Sequence, residues 1–233
     1  MLKFYIKMVI IALLFGAILS IAHYLSEYFH KHRHKRELIS FGAGIMLSYI
    51  ILDLFPRLYL YAGIITKFIF IFVLLGFSFF YLGEKYIFQH MQTKKKLKDL
   101  REMHLLAFFM YYFIIGFLLK KVTDSNILDG LLLFLPLLFH TSFGIVSLHH
   151  VHRSKEGLIL KLFLSLSPLF GIIAAYFFSP PELVFHIFLS LISGALLFIV
   201  ASEIIPKERA STSIDFILGV ALYSLILVST WLI

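Results

Sequence analysis

Long apolar runs separated by short islands of charge constrain this chain more than any other feature of its sequence. A helix needs about 20 apolar residues to cross a hydrocarbon core of about 30 Å, and runs of that length recur throughout the chain. With 61% hydrophobic and 15% charged residues, the composition is too apolar for a soluble domain. We therefore predict an all-α, polytopic membrane protein, a single domain over residues 1–233, with eight spans at 4–28, 39–60, 64–88, 103–121, 127–150, 157–178, 181–205 and 212–233.

The basic residues predict the orientation of these spans. Fifteen of the 21 Lys and Arg residues lie in the loops that follow spans 1, 3, 5 and 7 or, for Lys85 and Lys161, at the span ends beside those loops. The positive-inside rule assigns those loops to the cytoplasm, so both termini are expected outside a cytoplasmic membrane. Because the net charge of +8 is explained by these loops, a nucleic-acid partner is not predicted. The first apolar run would also fit a cleaved signal peptide, which stays open as an alternative.

Two stretches of the chain repeat the same unusual pattern, "FGAGIMLSYIILDLFP" (41–56) and "SGALLFIVASEIIPKE" (193–208). Each has a glycine near its start and a carboxylate followed by proline near its end, and a carboxylate within an apolar helix is costly. The stretches lie on spans 2 and 7, an odd number of crossings apart, so they are expected to run in opposite directions. This pattern predicts an inverted repeat, helices 1–3 and 6–8 around helices 4–5. The alternative is that the two stretches are alike by convergence, because glycine and proline are common near the ends of unrelated helices. The matched pairs are Gly44 with Gly194, Asp53 with Glu203, and Pro56 with Pro206.

These residues resemble the ZIP (ZRT/IRT-like) family of divalent-metal transporters. The resemblance covers most of the chain and is carried by "LDLFP" in span 2, "YLGEKYIFQH" in span 3, "LILKLFLSLSPLFGIIAAYF" in span 6 and the span 7 stretch. It implies an eight-helix fold with external termini and transport of a divalent cation toward the cytoplasm. It also implies a metal site built by motifs in spans 4, 5 and 6.

The motifs that form this metal site in the family are mostly lost here. "YYFIIG" (111–116) stands where the family has a motif like H-N-x-x-[DE]-G, and "HTSFG" (140–144) stands where it has H-x-x-P-E-G. A serine precedes Pro168 where a glutamate is usual. Of the expected ligands only His140 remains, and one imidazole does not hold a divalent ion against water. The degenerate positions are Tyr111, Tyr112, Ile115, Gly144 and Ser167.

Other histidines and carboxylates are candidates for handling a cation, because the chain has no cysteine ligand to offer. Asp53 and Glu203 are expected near opposite sides of the membrane. They would act as carboxylates at the entrance and exit of a cation pathway, or else they are solvated carboxylates at helix ends. His140 is expected mid-membrane, as a ligand or as a hydrogen-bonded packing residue. His149 and His152 are three residues apart, which puts them on one helical face as a two-point chelate, although Arg and Lys neighbours weaken that interpretation.

Two hypotheses about function follow. The first is a divergent ZIP-like transporter that moves zinc, iron, manganese or a similar divalent cation toward the cytoplasm, with no resident cofactor. The second is a transport-incompetent relative that acts as a structural or regulatory membrane subunit. An enzyme is not predicted, since His140 has no obvious carboxylate partner within the membrane. The expected partners are the lipid bilayer, the divalent cation and, as an open alternative, a second copy of the chain.

Overall fold

Helices form all the regular structure in the residues that the computed structural model describes, which are 2–29, 33–64, 67–90, 94–143, 155–204 and 213–232. The predicted all-α class is confirmed. A π-helical turn, Ile50–Leu54, joins two of the helices. The helices are α1 (Leu2–Phe29), α2 (Lys35–Tyr49), α3 (Phe55–Ile64), α4 (Ile69–His90), α5 (Lys94–Ser125), α6 (Ile127–Phe143), α7 (Lys155–Ser165), α8 (Ser167–Phe177), α9 (Glu182–Ile204) and α10 (Ser213–Trp231).

Most of these helices are long and apolar enough to cross a membrane. Six crossings in the described ranges meet that condition, namely α1, the continuous segment from α2 to α3, α4, α5, α9 and α10. α7 and α8 would together form a seventh, bent by 47°, and α6 is a shorter apolar helix of 17 residues. The chain is thus an all-helical, multi-pass membrane protein, and its helices follow the order of the predicted spans.

The predicted sixth span, 157–178, is two helices rather than one. α7 ends at Ser165 and α8 begins at Ser167, with Pro168 in the first turn of α8. Proline lacks the backbone N–H that would bond to the carbonyl four residues earlier, which here belongs to Leu164. The hydroxyl of Ser167 donates to that carbonyl instead, at 2.6 Å. The bend therefore leaves no orphaned acceptor at Leu164, a requirement inside a bilayer.

Glycines bring three pairs of helices into backbone contact. A Cβ atom on Gly44 of α2 would collide with the carbonyl oxygen of Phe216 in α10, and one on Gly219 would collide with the carbonyl oxygen of Phe41 in α2. The same reciprocal contact joins α4 to α9 and α5 to α8. Small residues at such crossings allow the close van der Waals packing on which membrane helices depend. The three glycine pairs are Gly44 with Gly219, Gly76 with Gly194, and Gly116 with Gly171.

Contacts at one end of the bundle reveal the helix directions. The ring of Tyr61, near the end of α3, lies 3.5 Å from the ring of His186, near the start of α9. The segment α2–α3 and helix α9 therefore run in opposite directions. Trp231, the last residue of α10, lines a cleft together with Arg57 of α3, so α10 ends at the same place. We refer to this side of the molecule as the Arg57 end.

The most extensive helix contacts pair α4 with α9, α2 with α10 and α5 with α8, and α2 packs more extensively against α6 than against α9. We divide these helices into two groups. The first group contains α1, α5, α6, α7 and α8, and the second contains α2, α3, α4, α9 and α10. The groups meet mainly where α2 packs against α6, with smaller contacts of α5 against α9 and α4. At the main crossing, a Cβ atom on Gly42 would lie 3.4 Å from the Cβ of Phe139, so the two backbones are close.

Candidate functional site

A cluster of three charged side chains lies at the Arg57 end, between the two helix groups. The guanidinium of Arg57 forms a two-point pair with Asp53, from Nε to Oδ2 at 2.9 Å and from Nη2 to Oδ1 at 2.9 Å. The same Nη2 also donates to Oδ1 of Asp129 at 2.8 Å. Asp53 and Arg57 belong to the second group, whereas Asp129 belongs to the first. The cluster therefore joins the two groups by charge.

The local sequence explains why these groups converge. Pro56 cannot donate to the carbonyl four residues earlier, and the chain adopts the π-helical turn Ile50–Leu54 just before it. Asp53 lies in this turn, one helical turn from Arg57. Asp129 lies in the first turn of α6, where a carboxylate is favoured by the helix dipole. The side chain of Asn126 accepts a hydrogen bond from the N–H of Leu128 at 2.9 Å and so caps the start of α6.

This arrangement changes what Asp53 can do. Asp53 is 8% exposed and already pairs with Arg57, so its carboxylate is not free to attract a cation until Arg57 releases it. Two carboxylates share one guanidinium, which leaves the cluster with a formal charge of −1. A cleft of 520 Å³ opens beside it. The cleft is lined by Ile51, Leu52, Asp53, Pro56, Arg57, Leu60 and Trp231.

Aromatic side chains fill the region where the family resemblance implies ligands. The rings of Tyr111 and Tyr112 on α5 are 5.0 Å apart, and the imidazole of His23 on α1 lies 4.4 Å from the ring of Tyr112. Phe80 of α4 packs edge-on against Tyr111 at 5.3 Å. Tyr111, Tyr112 and His23 are all buried. The structure therefore brings the two tyrosines together with a histidine from the first helix.

His23 is a candidate that the sequence analysis missed. It stands in the first apolar run, within "SIAHYLSEY", and an ionisable residue inside a membrane span is expected to be functional or hydrogen-bonded. The criterion that selected His140 would have selected His23 as well.

The other predicted site residues are placed as follows. His140 is buried on α6 beside two buried polar neighbours, Thr141 and Ser142. Ile115 is buried on α5, and Ser167 lies at the break before α8. Glu203 belongs to the last turn of α9, and its side chain is outside the described part of the molecule, whereas Gly144, His149 and His152 lie outside the described residues altogether.

No group of three His, Asp or Glu side chains suited to a metal ion occurs among the residues that the structure describes. Asp53 and Asp129 approach each other only through Arg57, which supplies the positive charge that a bound cation would otherwise supply. The predicted ligands His140, Asp53, Glu203, His149 and His152 stay predictions.

A buried cation, Lys120, lies on α5, whereas Arg57 is partly exposed. Lys120 pairs with Asp124 one turn further along the same helix, and its Nζ lies 4.5 Å from the ring centre of Tyr176. Lys120 is buried, so its charge is neutralised locally. Unlike those of the Arg57 cluster, the contacts of Lys120 with Asp124 and Tyr176 stay within the first helix group.

With the geometry established, the chain can be compared with known proteins. No family model matches the chain, and no curated protein is significantly similar to it in sequence. The similarity to ZIP transporters therefore rests on the residues and motifs themselves.

Proposed function

We propose that this protein is a divergent ZIP-like permease that moves a divalent cation toward the cytoplasm by motion of one helix group against the other. The observation that carries the proposal is the pairing of the helices. In an inverted repeat, spans 1–3 correspond to spans 6–8, so α2 corresponds to α9, α4 to α10 and α1 to α7–α8, while the central helices α5 and α6 correspond to each other. The contact of α2 with α10 then corresponds to that of α9 with α4. The contact of α5 with α8 likewise corresponds to that of α6 with α1.

The glycine crossings and helix directions support the same correspondence. Gly44 and Gly194, the repeated glycines of spans 2 and 7, each lie at a reciprocal glycine crossing, with Gly219 and Gly76 respectively. The contact of Tyr61 with His186 has α2–α3 and α9 running in opposite directions, as an inverted repeat requires. Two inverted halves give a transporter two related states, each open to one side of the membrane.

The division into two groups supports a mechanism in which one group moves past the other. Glycine crossings join α2 to α10 and α4 to α9 within the second group and α5 to α8 within the first, and the largest contact between the groups is that of α2 with α6. In this mechanism the cluster of Asp53, Arg57 and Asp129, with its formal charge of −1, attracts the cation at one mouth, and His140 contacts the cation near the membrane centre. Glu203, His149 and His152 receive it at the cytoplasmic side. The cation is the substrate, drawn from zinc, iron, manganese and similar ions.

Metal uptake by the purified protein in liposomes tests this proposal. We expect uptake of at least one of Zn²⁺, Fe²⁺ and Mn²⁺ above empty liposomes, and loss of that uptake in His140→Ala. The same ion should raise the melting temperature of the parent protein but not of the variant, because a ligand stabilises the state that binds it. His34→Ala is the control, since His34 is exposed at the start of α2. Absence of uptake for every ion would contradict the proposal.

The second candidate, a transport-incompetent relative, is favoured by one specific observation. His23, Tyr112 and Tyr111 fill the region in which the family places its ligands, as a buried cluster of rings in tilted and edge-to-face contact. A triple variant, Tyr111→His with Ile115→Asp and Gly144→Glu, restores the family's ligand types there. If this variant binds Zn²⁺ tightly while the parent neither binds nor transports, the chain is a relative whose site has been filled.

A further inference from the structure

We propose that Arg57 is a gate residue. Its bridge from α3 to Asp129 of α6, together with a hydrogen bond from Tyr223 of α10 to α6, holds the two helix groups together at the Arg57 end. Both contacts must open before the groups can move apart there. This inference rests on the proposed function, because it concerns how the motion of the groups is controlled.

The geometry of Arg57 allows its bond to Asp129 to open without leaving the partly exposed guanidinium unpaired. Nη2 is shared between Asp53 at 2.9 Å and Asp129 at 2.8 Å, while Nε is bound to Asp53 alone. When Asp129 withdraws with α6, Arg57 keeps its two-point pair with Asp53. Asp129 in turn keeps the favourable field at the start of α6 and is partly exposed. Opening therefore costs one charge-assisted hydrogen bond rather than a whole buried ion pair.

A second contact crosses between the groups one turn deeper. Tyr223 is buried on α10, and its hydroxyl donates to the carbonyl oxygen of Leu132 on α6. That carbonyl is available because Pro136, four residues later within α6, has no N–H to donate to it. The proline thus creates the acceptor that Tyr223 uses. Proline in a membrane helix needs such a partner for the freed carbonyl, and here the partner comes from the opposite group.

The pair of Lys120 with Asp124 provides the matched comparison. It too is a cation with a carboxylate one turn away, near the same end of the bundle, but Lys120 is buried and both residues belong to α5. Removing this pair changes charge and burial within the first group and breaks no link between the groups. If Arg57 is a gate residue, loss of the Asp129 carboxylate should make the groups separate more readily than loss of the Asp124 carboxylate. If losing any such carboxylate has a general effect, the two losses should act equally.

A single introduced cysteine can report on separation of the two helix groups at the Arg57 end, because the chain contains no cysteine of its own. Leu133 is 5% exposed and lies one helical turn from Asp129 on the same face of α6, so we expect a Leu133→Cys thiol to react faster when this face of α6 is uncovered. In purified, detergent-solubilised protein, we expect Asp129→Asn to raise its reaction rate with a water-soluble maleimide about tenfold, the factor for one charge-assisted hydrogen bond. Asp124→Asn should leave the rate within about twofold. Ser125→Cys, at an exposed site, measures the unhindered rate.

Equal rates for Asp129→Asn and Asp124→Asn would overturn the gate. Tyr223→Phe is the milder variant, because it removes one hydroxyl and keeps the ring, and we expect it to raise the rate about threefold. If Asp129→Asn yields aggregated protein, an unchanged rate in Tyr223→Phe overturns the gate instead. Metal uptake is measured separately on the same variants. Faster labelling without uptake supports the gate and contradicts the permease, whereas uptake with unchanged labelling supports the permease and contradicts the gate.

Discussion

Arg57 makes it tolerable for Asp53 to lie inside an apolar helix. An unpaired carboxylate in a membrane span is costly, and the repeated pattern of spans 2 and 7 could not reveal what compensates it. The compensating cation is four residues further along the same helix, and the second carboxylate comes from α6. A short-range pair such as Asp53 with Arg57 can be anticipated from helical spacing. The hydrogen bond from Arg57 to Asp129 could not be anticipated from the sequence, since it depends on how α2–α3 packs against α6.

At this scale we predict that Arg57→Gln lowers the free energy of unfolding by about 1–3 kcal/mol, because it leaves two neighbouring carboxylates without their shared cation. Adding Asp53→Asn to that variant should recover part of the loss, since one uncompensated charge is removed. Unfolding in detergent by titration with a denaturing surfactant measures both effects. Lys67→Gln is the control, because Lys67 is exposed. Equal losses for Arg57→Gln and Lys67→Gln would show that the cluster contributes nothing to stability.

Among the elements, the helices were largely predictable and their breaks were not. Apolar runs predicted the long apolar helices that the structure describes, because in hydrocarbon a single segment satisfies its backbone hydrogen bonds only as a helix. α5, however, begins at Lys94 within a charge island that was predicted as a loop, since lysine, glutamate and leucine are good helix formers even outside the membrane. The break at Leu166 depends on Ser167 and Pro168 acting together, which hydropathy does not register.

The glycine crossings give a prediction within a single helix. Gly76 of α4 faces the backbone of Leu191 in α9, whereas a Cβ on Gly83 of α4 would meet nothing within 4 Å. Gly76→Ala should therefore lower the free energy of unfolding by about 1–3 kcal/mol through overpacking. Gly83→Ala should leave it unchanged or raise it by about 0.5–1 kcal/mol, through helix propensity. The same unfolding titration compares the two. If both substitutions are neutral, α4 and α9 do not make the close contact described.

On the scale of the whole molecule, the sequence predicted opposite directions for spans 2 and 7, and the contact of Tyr61 with His186 agrees with that. It did not predict the two helix groups. Which helices pair depends on small residues from distant parts of the chain that come into contact, such as Gly116 and Gly171. The sequence shows where the glycines are but not which of them will be in contact. The filled region around Tyr112 was equally hidden, because the loss of a motif does not say which side chains replace it.

Motion between the groups can be tested by joining them. A Cβ on Gly42 of α2 would lie 3.4 Å from the Cβ of Phe139 on α6, a separation close to that of cysteines in a disulfide. In the double variant Gly42→Cys with Phe139→Cys, we expect a disulfide under mild oxidation and a reduced form that still takes up metal. Oxidation should abolish uptake and reductant should restore it, because the link fixes the α2–α6 crossing across which one group moves. The single variants Gly42→Cys and Phe139→Cys, oxidised in the same way, control for thiol chemistry. Uptake that persists in the fully cross-linked protein would mean that the cation passes without displacement at this crossing, and the moving-group mechanism would have to be abandoned.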